Sequence, residues 1–169
     1  SAGREEQWST LNEEFRRRVL KKSISNECVI AAAEVLAAVG IPVSLNNIIG
    51  FPGETRDLAM DTVRLNRRLP HDTVNAYAFT PFHGTELYAV AVREGYLDPG
   101  AALNCMTKGT VLHMPQFPPE EINGLVKTFA LYTGLPESAF PEIRRAEADG
   151  PEAERIFTAL RERYIRERF

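Results

Sequence analysis

Val43-Ser44-Leu45-Asn46-Asn47-Ile48-Ile49-Gly50-Phe51-Pro52-Gly53-Glu54-Thr55 is the stretch on which the fold turns. Its first seven residues lie between Pro42 and Gly50 and are rich in apolar and β-branched types, which predicts a strand. The glycine-proline-glycine turn ends at Thr55 or Asp57. Either residue opens a helix with Leu58, Thr62, Leu65 and Leu69 on one face and a stop at Pro70. Upstream, Ser25 or Asn26 caps a helix in which Val29, Ile30, Ala33, Leu36 and Ala37 recur at helical spacing before Gly40. Ahead of it, Glu13 and Glu14 follow Asn12, and Arg16, Arg17, Arg18, Lys21 and Lys22 lie toward the far end. That order suits the helix dipole and predicts a short helix over 12–22.

Downstream the unit repeats. Val74 to Phe79 alternates as a strand, a Pro/Gly loop follows, and a helix over 85–94 closes at Gly95. Strands separated by single helices predict a parallel sheet, which needs cover on both faces. Two strands are clear and a third, at Thr110 to Met114, is weaker. These are too few to close a barrel. The expected class is therefore α/β, a partial (β/α) barrel whose other strands lie upstream or come from a partner chain.

From Pro115 the pattern turns helical. Ile122, Leu125, Val126, Phe129 and Tyr132 form a stripe ended by Gly134, a further helix lies within Pro136 to Ala148, and Pro151 to Phe169 aligns Ile156, Leu160 and Tyr164. The expected division is a barrel portion over 1–114 and a helical extension over 115–169.

The 20 basic and 23 acidic residues are interspersed and leave a net charge of -3, so the basic excess needed to bind a phosphate backbone is missing. Nucleic acid is not an expected partner. No apolar run approaches the roughly 20 residues that cross a bilayer. The first residues carry no signal-like apolar stretch, and a cytoplasmic location is expected. Cys28 and Cys105 lie far apart and read as small buried hydrophobes, while His71, His83 and His113 lack ligand spacing. No metal site is expected within the chain.

Loops at the carboxyl ends of parallel strands gather on one side, and ligands bind there. Gly50 to Thr55 combines glycines that admit close backbone approach with a proline, just before a helix N-terminus. It reads either as a ligand turn or as a tight turn with Glu54 serving the helix start. Thr80 to Thr85 brings His83 beside Gly84 and two hydroxyls. His83 is a candidate for proton transfer, and equally for a hydrogen-bonded turn residue. One of Asn46 and Asn47 should point inward, where its amide needs a ligand, a strand or water as partner.

Arg18 to Lys22, Ala38 to Val43, Ile48 to Thr55 and Pro81 to Leu87, taken in order, resemble the later half of a radical S-adenosylmethionine barrel of the cobalamin-binding type. The resemblance continues through Leu112 to Phe117 and Thr128 to Tyr132. It implies a horseshoe-like (β/α)6 barrel in which a [4Fe-4S] cluster cleaves S-adenosylmethionine to a 5'-deoxyadenosyl radical. Carried onto this sequence, Ile48, Gly50, Pro52, Gly53 and Glu54 would line the adenosylmethionine site with Asn46 as companion. Thr80, His83 and Thr85 would lie on the substrate side. The family's three-cysteine CxxxCxxC motif is absent from these residues, as is the cobalamin-binding domain that often precedes such barrels. The chain thus reads as a fragment or degenerate relative, inactive alone, whose partner is the first half of the barrel. The alternatives are a non-catalytic module for a nucleotide-like ligand and an assembly element that forms oligomers through an exposed sheet face.

Overall fold

The computed structural model describes residues 13–19, 21, 23–100 and 109–168. In chain order these form α1 (13–19), α2 (Asn26–Ala38), β1 (Ser44–Ile49), α3 (Arg56–Arg68), β2 (Thr73–Ala78), α4 (Glu86–Arg93), α5 (Pro119–Gly134), a 3-10 turn (Glu137–Ala139), α6 (Phe140–Ala146) and α7 (Pro151–Arg168). The architecture is α/β, with a small parallel sheet and a helical C-terminal end.

Local chemistry sets most of these boundaries. Ser25, Thr55 and Thr85 sit in extended conformation before α2, α3 and α4, and each hydroxyl accepts from the backbone N–H three residues on. Left-handed Gly40 (φ 71°) and Gly95 (φ 72°) follow the ends of α2 and α4. Pro119 opens α5 with Glu120 and Glu121 in its first turn, where the helix dipole favours negative charge.

β1 and β2 pair in parallel, with Ser44 opposite Thr73 and Ile49 opposite Ala78. Side chains alternate between faces. Leu45, Asn47 and Ile49 with Val74, Ala76 and Ala78 form the covered face, packed under α3 and α5. Ser44, Asn46 and Ile48 with Thr73, Asn75 and Tyr77 form the other face, which is exposed along its whole length. Asn47 joins β1 to α3 by a reciprocal amide pair. Its Nδ2 donates to Asn66 Oδ1 at 2.9 Å, and Asn66 Nδ2 donates back at 2.8 Å.

Three expectations are corrected. Residues 110–114 do not form a strand. Leu112 and Met114 are buried, but His113 N bonds to Tyr96 O and Met114 makes only an isolated antiparallel bridge to Phe117, because this segment crosses the core rather than joining the sheet. The buried residues of α3 are Ala59, Asp61, Val63 and Asn66; of the expected face, Leu69 is buried just past the helix end and Leu58 packs half-buried against the core, while Thr62 and Leu65 are half-buried. Gly134 ends α5 as expected, and its lack of a side chain admits Tyr164. A Cβ there would lie 2.1 Å from the Tyr164 ring. Cys28 is exposed on α2, while Cys105 lies outside the described residues.

One hydrophobic cluster runs from Ile49, Ala59 and Val74 through Ile122 and Phe129 to Ile143 and Leu160, so the core is continuous across residue 115. Polar contacts reinforce the join. Arg67 Nη1 donates to the carbonyls of Tyr132 (2.5 Å), Leu135 (2.6 Å) and Thr133 (3.4 Å), satisfying the C-terminal end of α5 from α3. Arg56 Nη2 and the Tyr132 hydroxyl both donate to Glu147 Oε1, at 2.6 and 2.7 Å. Charged donors to backbone carbonyls contribute about 1.5–3 kcal/mol. Arg67→Ala should therefore lower urea stability by about 2–3 kcal/mol, and Arg67→Lys, without the guanidinium fork, should recover less than half of the loss. A loss below about 0.5 kcal/mol would class Arg67 as an ordinary surface residue.

Candidate functional site

Parallel neighbours leave the sheet at the same end, so the loops after β1 and β2 stand side by side. Phe79 N donates to Ile49 O at 2.7 Å. The rings of Phe51 and Phe79 lie 4.9 Å apart, and Phe15 of α1 sits 6.4 Å from Phe51. This aromatic base ties the two loops together. The sequence reading passed over it, although an aromatic residue stands at the first or second position after each strand.

In the first loop, Gly50 meets two demands. Its φ of 83° favours glycine, and a Cβ would approach Ile122 of α5 to 3.0 Å. Glu54 is 3% exposed, and its Oε2 accepts from the backbone N–H groups of Gly50 and of Phe51, the latter at 3.1 Å. Its own N–H returns to Phe51 O at 2.9 Å. The carboxylate is thus spent on closing the turn. Pro52 is buried, and Gly53 is exposed with open space around its Cα. The surface this loop offers a ligand is therefore Gly53 and the adjoining backbone.

The second loop divides in the same way. Thr85 Oγ1 accepts from Tyr88 N at 3.2 Å and donates to Phe82 O at 2.7 Å, so its hydroxyl is committed to capping α4. His83 is exposed, packs 4.4 Å from the Tyr88 ring and makes no hydrogen bond among the described residues. No group there orients it as an acid or base. Thr80 is half-buried and Phe82 is 61% exposed. Asn46 and Ile48 lie on the bare face of the sheet below the loops, whereas Asn47 is held by Asn66 on the covered side.

No cluster of three or more His, Cys, Asp or Glu side chains suited to a metal occurs among the described residues. Cys28 stands alone on α2, so these residues do not fit an iron-sulfur cluster, which is held by several thiolates. No helix among the described residues is long and apolar enough to cross a membrane.

Burial raises the Glu54 pKa from 4.5 to about 7 against the opposing pull of its two backbone donors. The folded state therefore binds the Glu54 proton more tightly than the unfolded chain does. Its contribution is full below about pH 4.5 and is lost as pH rises through about 7, a change of about 3 kcal/mol. Glu54→Gln should flatten this part of the stability–pH curve in urea titrations while keeping an acceptor for the loop. An unchanged slope between those pH values would remove Glu54 as its source.

Compared with known proteins, the chain matches no family model, and no curated protein resembles it significantly.

Proposed function

We propose that this chain forms one wall of a radical S-adenosylmethionine site, as the later part of a partial (β/α) barrel in the cytoplasm. The observation that carries the reading is geometric. The Gly50–Thr55 and Thr80–Thr85 loops meet at one end of two parallel strands, above a sheet face that no helix among the described residues covers. In a barrel that face is the inner one, and parallel strands left bare on one side call for a further layer. Gly53, Ile48 and Asn46 would hold the adenosylmethionine, with Gly50, Pro52 and Glu54 shaping the turn. Thr80 and His83 would face the substrate, and Thr85 would set the start of α4. The cluster supplies the electron that cleaves S-adenosylmethionine in this family. Its thiolates would belong to the other half of the barrel.

Ile48 is 51% exposed, so Ile48→Glu should leave the fold intact. Calorimetric titration with S-adenosylmethionine should show saturable binding that this variant weakens at least about tenfold, about 1.4 kcal/mol. No saturable binding, or equal binding by the variant, overturns the proposal.

A second reading, an assembly element, is favoured by α2. Val35 and Val39 are 63% and 65% exposed, and Ile24 and Ile41 are also open. Isolated apolar residues are ordinary on surfaces, but this number around one helix suits a partner. On this reading sedimentation should show concentration-dependent association, which Val35→Lys with Val39→Glu abolishes. A strict monomer at high concentration would eliminate it.

A further inference from the structure

At the end of the sheet opposite the strand-end loops, the end of α2 and the residues leading into β1 and β2 line a cavity of about 300 Å³. Ala37, Ile41, Pro42 and Pro70 supply its apolar wall, and His71 and Asp72 its polar side chains. That volume is at the small end of the range for ligand pockets and suits a molecule of modest size.

The backbone donors around it are spent. Gly40 N donates to Ala37 O at 3.0 Å, Ile41 N to Leu36 O at 3.0 Å and Asp72 N to Val43 O at 2.8 Å. Val43 N donates to Asp72 Oδ2 at 2.7 Å, which ties the carboxylate down and leaves Oδ1 without a partner among the described residues. His71 Nδ1 lies 2.7 Å from Leu69 O, a group that can only accept, so Nδ1 carries the proton of the neutral ring and Nε2 is an acceptor. This Nε2 is buried and has no partner among the described residues. α2 ends at the same cavity, and the negative end of its dipole meets no basic side chain in the last turn. Arg168 is the neighbouring cation. Its Nη2 donates to the carbonyls of His71 (2.7 Å) and Asp72 (3.4 Å), and it forms no ion pair with the Asp72 carboxylate.

An apolar wall, a carboxylate without a counter-cation and donors already committed make the cavity selective for the sign of a ligand's charge. An anion would find no free donor among the bonds above, whereas an ammonium group finds Asp72 Oδ1 and the end of α2. We infer that this cavity binds a small amphipathic ammonium ion, an alkylamine whose cationic end pairs with Asp72 and whose hydrocarbon chain lies along Ile41, Pro42 and Pro70. The site is at the far end of the sheet from the Gly50–Thr55 and Thr80–Thr85 loops and does not depend on the proposed function.

Proton–nitrogen NMR of the labelled chain tests it, with the backbone amides of Gly40, Ile41, Val43 and Asp72 as reporters and hexylammonium, hexanol and hexanoate as probes. Hexylammonium should move these amides saturably, hexanol should bind at least about tenfold more weakly, and hexanoate should leave them unmoved. Asp72→Asn keeps an acceptor for Val43 N–H and removes the charge. It should weaken hexylammonium at least about tenfold and leave hexanol unchanged. Ile41 is 50% exposed, so Ile41→Ser should keep the fold and weaken both probes. The comparison of the three probes on the unaltered chain decides the charge preference without any variant. Hexanol or hexanoate binding as tightly as hexylammonium, an undiminished affinity in Asp72→Asn, or no saturable movement of these amides overturns the inference.

Discussion

A two-stranded parallel sheet does not hold itself together in water, and α5 is the helix that supplies much of its cover. Its Ile122 rests on Gly50, so the same helix that buries the strands also fixes the first loop. At its other end α5 is bonded by Arg67 of α3. Gly124 and Gly134 let α5 approach Glu147 and Tyr164 closely. The helical end of the chain is therefore part of the scaffold that shapes the strand-end loops.

The loops separate residues that build from residues that face outward. Glu54 and Thr85 spend their hydrogen-bonding capacity on the backbone, while Gly53, His83 and Phe82 remain at the surface. A carboxylate or hydroxyl in a conspicuous loop attracts a chemical assignment from sequence. Counting its partners here gives it a structural one. The sheet face shows the opposite case, since Asn46 keeps hydrogen-bonding capacity that its partner Asn75 does not exhaust.

Features governed by a few neighbouring residues were legible in the sequence. Ser25 and Thr55, each one of two candidates in the sequence, cap their helices, the two strands fall within a residue of their expected bounds, and both loops leave the same end. What was not legible depends on residues distant in the chain. Thr110 to Met114 has strand-like composition, but Tyr96 claims the backbone of His113. Leu58 and Leu65 looked like the inner face of α3, yet both are only half-buried, and Ala59 and Val63 are the apolar residues that the helix buries fully. The choice between Asn46 and Asn47 turned on Asn66, nineteen residues away from Asn47. The use of Glu54 depended on a turn geometry that spacing alone does not reveal.

The seating of Ile122 on Gly50 bears on the order in which the chain acquires its shape during synthesis. β1, α3 and β2 are complete by Ala78, but the first loop lacks its neighbour until α5 has been made. Arg67 likewise waits for the carbonyl of Leu135, and Arg56 for the carboxylate of Glu147. The nascent strands and α3 thus pass through an interval with their apolar faces open. That interval, ended only by the arrival of later helices, is when such a segment is most exposed to wrong associations.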